Sequence, residues 1–139
     1  MTDHAEQIRS LLAHLSHLAD EGPIADYFEH YTPDAVWERA GDPQSGIAPQ
    51  IFRGATEIAA SAQARRDAGI AGPGTRTRHV TSCTAITLLG PDSARAESVW
   101  QFFADTTTAP RLVGMGRYHD TLVLVDGRWR VSVRSITNG

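Results

Sequence analysis

His79 is the first candidate for chemistry in this sequence. It stands in Arg78-His79-Val80-Thr81-Ser82, and an imidazole titrates near neutrality, so it can take or give a proton. In a strand, His79 shares a face with Thr81, Cys83 and Ala85, a row of small side chains that leaves room beside the ring. The opposite row, Val80, Ser82, Thr84, Ile86 and Leu88, is more apolar at its far end, and parity alone leaves open which row points inward. A carboxylate beside the ring would accept one ring N–H, set the tautomer and stabilise the imidazolium. Asp20 can do so only if the end of the first helix faces this strand. Helical rotation of about 100° per residue carries Asp20 off the core direction, so the helix would have to end or bend before Gly22-Pro23. A histidine satisfied by a backbone carbonyl and a solvated aspartate are the plain alternatives.

Further candidates are aromatic or cationic. Trp37, Tyr27, Tyr31, Trp100 and Phe102 can line a pocket for a ring-shaped ligand, or simply fill the core. Tyr118 can donate its hydroxyl to a substrate oxygen. Arg134 can stabilise a developing negative charge. Its alternation partners, Arg128, Arg130 and Ser132, are polar and point it toward solvent, so only a bulge would turn it inward. His14, His17 and Asp20 form His-x-x-His-x-x-Asp, but steps of three spread them round a helix, and no metal site is expected. Arg111, Arg117 and His119 are expected on the outer face.

Several chemistries lack their parts. All 13 basic residues are arginines, which excludes a Schiff-base lysine and a phosphate loop ending in Gly-Lys-Ser/Thr. There is no Gly-x-Ser-x-Gly, His-Glu-x-x-His or Gly-x-Gly-x-x-Gly. Cys83 is the single cysteine, so neither an internal disulfide nor a cysteine zinc site can form. No cofactor is therefore expected.

The elements that must position these residues follow from periodicity. Ile8, Leu11, Leu12, Leu15 and Leu18 mark an amphipathic helix, broken at Gly22-Pro23. Ile24, Tyr27, Phe28 and Tyr31 mark a second helix, closed by Thr32-Pro33-Asp34. Ala35–Arg39 reads as a strand, 40–49 as a loop and Gln50–Arg53 as a short strand. A third, alanine-rich helix runs to Ala68 with Thr56 as its cap. Four long strands follow, Thr75–Leu89, Ala94–Ala104, Arg111–Val125 and Arg128–Ile136, the last two joined by an Asp126-Gly127 hairpin turn. Gly114 and Gly116 allow a long strand to bend. Helices gathered before an antiparallel meander predict an α+β domain, a curved sheet wrapped over helices around a cavity.

Length and composition agree with one such domain over residues 1–139. The chain has 139 residues, 41% hydrophobic and 21% charged, with a formal charge of −3. That charge offers no attraction to nucleic acid or anionic lipid. No apolar run reaches the length of a membrane span and no signal peptide is evident. The expected location is cytoplasmic.

Tyr31-Thr32-Pro33-Asp34-Ala35-Val36-Trp37, Gly54, Arg78-His79-Val80-Thr81-Ser82, Gly116-Arg117-Tyr118-His119-Asp120-Thr121 and Asp126-Gly127-Arg128-Trp129-Arg130-Val131 occur in this order. Together they resemble the SnoaL-like family of the nuclear-transport-factor-2-like superfamily, over about residues 5 to 136. Its scytalone dehydratase and hexachlorocyclohexane dehydrochlorinase branches use an Asp–His pair. The resemblance implies Asp20 and His79 for that pair, with Trp37 on the first strand and Arg134 on the last. Leu15 stands where the dehydrochlorinase pattern has a lysine, and Glu97-Ser98-Val99-Trp100 lacks the dehydratase's second histidine. The resemblance thus implies a cone-shaped scaffold and an acid–base pair rather than either activity. It leads us to expect a cofactor-independent lyase or isomerase, such as a dehydratase, double-bond isomerase or cyclase, acting on a small hydrophobic, oxygenated molecule such as a polyketide. The alternatives are a non-catalytic binding or dimerisation module and the structural small subunit of an oxygenase. A homodimer paired through the outer sheet face is expected.

Overall fold

The computed structural model describes residues 2–139. The elements run α1 (His4–Glu21), α2 (Ile24–Glu29), β1 (Tyr31–Arg39), β2 (Gln50–Arg53), α3 (Ala55–Asp67), β3 (Arg78–Leu88), β4 (Ser93–Ala104), β5 (Arg111–Val125) and β6 (Arg128–Asn138). Asp3 caps α1 by accepting the Glu6 backbone N–H, 3.0 Å. The apolar stripe of α1 is buried from Ile8 to Leu18. At its other end the Gly22 backbone N–H donates to the Leu18 carbonyl, and Pro23 precedes α2.

The structure corrects three local expectations. Tyr31-Thr32-Pro33-Asp34 does not end α2 but opens β1, because Tyr31 is drawn into parallel register with Val131 of β6. Gly54, not Thr56, caps α3. Its φ of +86° suits glycine, and Glu57 accepts the Arg53 backbone N–H at 2.7 Å. β3 begins at Arg78 rather than Thr75, since the Thr75 hydroxyl turns back to the Gly72 carbonyl.

Six strands form one curved, unclosed sheet in the order β2-β1-β6-β5-β4-β3. β1 and β6 are parallel and every other neighbouring pair is antiparallel. Register shifts interrupt β3 between Ser82 and Ala85, the β4–β5 pair at Phe102/Phe103, and the β5–β6 pair at Thr121/Leu122. Such bulges bend strands and change which residues face inward. The helices pack on the concave face, and Ile8, Leu12, Leu15, Tyr31, Ile58, Leu122 and Val131 make the most enclosed part of the core. Among the described residues no helix is long and apolar enough to cross a membrane.

Candidate active site

A cavity of about 560 Å³ lies between the concave sheet and the helices. His79 reaches it from the start of β3. Asp20, one residue before the end of α1, stands directly behind the ring. Its Oδ1 lies 2.7 Å from His79 Nδ1, and Oδ1 and Oδ2 accept the His79 backbone N–H at 3.2 and 3.0 Å. The Asp20 side chain is 1% exposed and that of His79 22%. Asp20 Oδ1 accepts from the backbone N–H as well, so the contact suits a proton on Nδ1, and Nε2 is the ring nitrogen that Asp20 does not engage. The Phe102 ring packs against the imidazole, with centroids 4.6 Å apart.

Helical rotation alone misplaced Asp20. α1 ends at Glu21, immediately before Gly22-Pro23 as expected, and it is buried along two faces. The apolar stripe meets the core, and a polar flank meets β3, where Ser16 Oγ bonds Thr81 Oγ1 at 2.8 Å and Asp20, four residues later, meets His79. The β3 row also needs correction. His79 and Thr81 do face inward, but Cys83, at φ +53°, and Ala85 are exposed, and the bulge hands the inner face to Thr84 and Ile86.

Arg134 is 5% exposed and lies on the cavity wall, against its simple parity. The reason is the bulge in β6. Thr121 pairs with Val133 but Leu122 with Val131, leaving Ser132 as the extra residue. Trp129 and Val131 face inward before it, Arg134 and Ile136 after it. Asp120 holds the guanidinium with two parallel bonds, Nε to Oδ1 at 2.8 Å and Nη2 to Oδ2 at 2.9 Å. Burial pulls the Arg134 pKa down, but the adjacent Asp120 carboxylate outweighs it and holds the group well above its usual value. The sequence reading missed Asp120. Its strand parity with Tyr118 was readable, but its place directly across from Arg134 depends on the β6 bulge, since unbroken register from the Asp126-Gly127 turn would set it opposite Val133.

The aromatic residues divide. Tyr27, Trp37, Trp100, Phe102 and Tyr118 line the cavity. Tyr31 does not: at 1% exposure it lies behind Tyr27, and the two hydroxyls bond at 3.0 Å. Tyr31 therefore supports the wall rather than touching its contents, which corrects its expected place in the binding set. The Arg134 guanidinium covers the Tyr118 ring at 3.9 Å from the centroid. Burial pushes the Tyr118 hydroxyl up to about 12, so it is a hydrogen-bond donor at neutral pH. His14 faces away from this cavity and meets His30 edge-on, with centroids 5.6 Å apart. Arg111 and Arg117 are exposed, and His119 lies 3.5 Å from Glu97.

A family model described as a SnoaL-like domain matches residues 2–135. The chain belongs to the SnoaL-like family. Its fold recurs in solved structures. An NTF2-like protein with a cystatin-like fold from Novosphingobium aromaticivorans superposes with a TM-score of 0.80 at 21% identity, covering 96% of this chain and 80% of that one. A provisionally assigned scytalone dehydratase from the same organism gives 0.73 at 21% identity, covering 97% and 83%. The β subunit of a provisionally assigned aromatic-ring-hydroxylating dioxygenase, also from that organism, gives 0.75 at 18%, covering 96% and 87%. No curated protein matches the chain. At these identities the likeness of this SnoaL-like domain to its neighbours is one of fold.

Proposed function

We propose that this SnoaL-like domain is a cofactor-independent lyase or isomerase that moves a proton on a small hydrophobic, oxygenated molecule. One observation carries the reading: a buried carboxylate 2.7 Å from Nδ1 of an imidazole that lines the cavity. His79 Nε2 removes a proton from a carbon next to a carbonyl, and Asp20 stabilises the imidazolium. The electron pair moves onto the carbonyl oxygen as an enolate. Tyr118, protonated at neutral pH, is a donor for that oxygen, and the Arg134 guanidinium, paired with Asp120, lies over its ring. The imidazolium then returns its proton. Delivered to another carbon, it completes a double-bond migration; delivered to a β-hydroxyl, it releases water. Both outcomes are redox-neutral and need no further reactant.

The test is proton exchange in deuterium oxide. Cyclic β-hydroxy ketones and β,γ-unsaturated ketones are incubated with the protein and followed by NMR. Protein-dependent exchange, dehydration or isomerisation that is lost in His79→Ala supports the reading. Tight binding without exchange in any member of the set would make the domain a binding module instead. The same reading has residues 1–139 acting as one domain and pairing as a homodimer through the outer sheet face; light scattering measures the mass of the dimer.

A further inference from the structure

The cavity wall is unevenly charged. Arg39, Arg65, Arg66 and Arg134 line it against one carboxylate, Asp42. Arg134 is matched by Asp120, while Asp42 is occupied by the Ser45 hydroxyl and the Gln44 backbone N–H. Arg66 donates to the carbonyls of Leu18, Ala19 and Gly22 at the end of α1, and Arg65 lies over the Trp37 ring at 5.4 Å. Like Arg65 and Arg66, Arg39 pairs with no carboxylate among the described residues; it differs in that its one side-chain partner is the Asn138 amide oxygen, 2.6 Å from Nη2, and its Nε has none.

Three orphaned donors gather there. Arg39 Nε, Asn138 Nδ2 and Trp100 Nε1 are all buried without a hydrogen-bond partner, and all three residues line the cavity. An arginine can only donate, so the Asn138 oxygen must face it, and this leaves the NH2 group unmatched. Trp100 is 7% exposed. The register explains the clustering: Trp100 pairs with Gly116, and Gly116 with Asn138, in one row across three strands. Gly116 has no side chain to fill the row, and the indole occupies that space; a Cβ there would come within 2.9 Å of Trp100 Cε2. The Arg39 guanidinium sits 6.0 Å from the Trp100 ring centroid. A buried donor left unmatched is costly, and two such donors beside the Arg39 guanidinium, whose own Nε is also unmatched, suit an anionic acceptor.

We infer that the Arg39–Asn138–Trp100 corner is a carboxylate subsite, so that the molecule bound in this cavity is an apolar, ring-bearing organic acid. This deepens the proton-transfer reading and rests on it for the fate of the acid, though not for its binding. The guanidinium receives the carboxylate, small rotations of the asparagine and indole bring their N–H groups to its oxygens, and the aromatic wall holds the ring.

Calorimetry with 2-naphthoate and its neutral analogue 2-naphthamide tests the inference. The wild-type protein should bind the acid about tenfold or more tightly than the amide, and added salt should weaken only the acid. Arg39→Gln should bring the two within about twofold, and Trp100→Phe, which keeps the ring and loses the N–H, should weaken the acid by about threefold. His79→Asn should keep the preference. Melting curves establish that the variants fold; should Arg39→Gln unfold, the salt dependence of the wild type decides alone. Equal affinity for acid and amide, failure of both to bind at millimolar concentration, or a preference that survives Arg39→Gln would overturn the subsite. Acid preference without proton exchange would reject the chemistry and keep the subsite; exchange without acid preference would do the reverse.

Discussion

Asp20 grips His79 at two points, the ring nitrogen Nδ1 and the backbone N–H, so one carboxylate fixes both where the imidazole is and which way it faces. The backbone contact ties the last turn of α1 to the first residues of β3. Ring orientation and helix–sheet docking are therefore the same event.

Asp20→Asn should slow proton transfer strongly while keeping the shape of the site. The amide offers an NH2 group where the ring N–H needs an acceptor, favouring the wrong tautomer, and a loss of about 10²–10⁴ in rate is expected, comparable to His79→Ala. Asp20→Ala should in addition destabilise the fold by about 1–3 kcal/mol, because the buried His79 N–H loses its partner. Exchange rates and denaturant melts separate the two effects.

The Arg134–Asp120 pair should behave as a unit. Asp120→Ala leaves a buried guanidinium uncompensated and should cost about 3–5 kcal/mol. Replacing both by apolar residues of similar volume, Arg134→Met with Asp120→Leu, should cost much less than either single change. A double-mutant cycle by urea unfolding measures the difference.

Tyr118 should make the protein sensitive to alkali. Its folded pKa of about 12 exceeds the unfolded value near 10. The unfolded chain therefore releases this proton first, and stability, intact below pH 10, falls as the pH rises from about 10 to 12. The loss should reach about 2–3 kcal/mol for this group, and Tyr118→Phe should remove it. Tyrosinate absorbance and the unfolding transition should rise together.

His30 should act at the other end of the pH scale. Burial, then the neighbouring His14 and Arg128, hold it below the ordinary imidazole value of 6.5. The unfolded chain binds this proton more readily, so its contribution, complete above pH 6.5, is lost as the pH falls through the depressed folded value. NMR titration should place the His30 midpoint below 6.5, and His14→Ala should move it upward.

Gly116→Ala should be costly although the residue is not in the left-handed region. An added Cβ would meet the Thr137 carbonyl oxygen of the neighbouring strand and lie 2.9 Å from Trp100 Cε2. Overpacking of this kind costs about 1–3 kcal/mol or more. Thermal melts of the variant check it, with Gly114→Ala, which has only ordinary contacts at 3.7 Å, as the control.

The order of helices and strands was legible in the sequence because each element announces itself locally. Leucine spacing marks α1, Gly22-Pro23 ends it, Asp126-Gly127 makes the β5–β6 turn, and Arg111–Val125 matches β5 from end to end. The family phrases, Arg78-His79-Val80-Thr81-Ser82 among them, also named Asp20 and His79. Local rules could not say that these two meet, since 59 residues separate them and the contact exists only once α1 docks on β3. Nor could alternation place Arg134 or Cys83. A single extra residue at Ser132, and another near Cys83, reverses the facing of everything beyond it. Bulges arise from how neighbouring strands must bend together round a common core, and that requirement belongs to the assembled sheet. The carboxylate corner is the extreme case: Arg39, Trp100 and Asn138 lie far apart along the chain, and only the sheet register brings their unmatched N–H groups into one place.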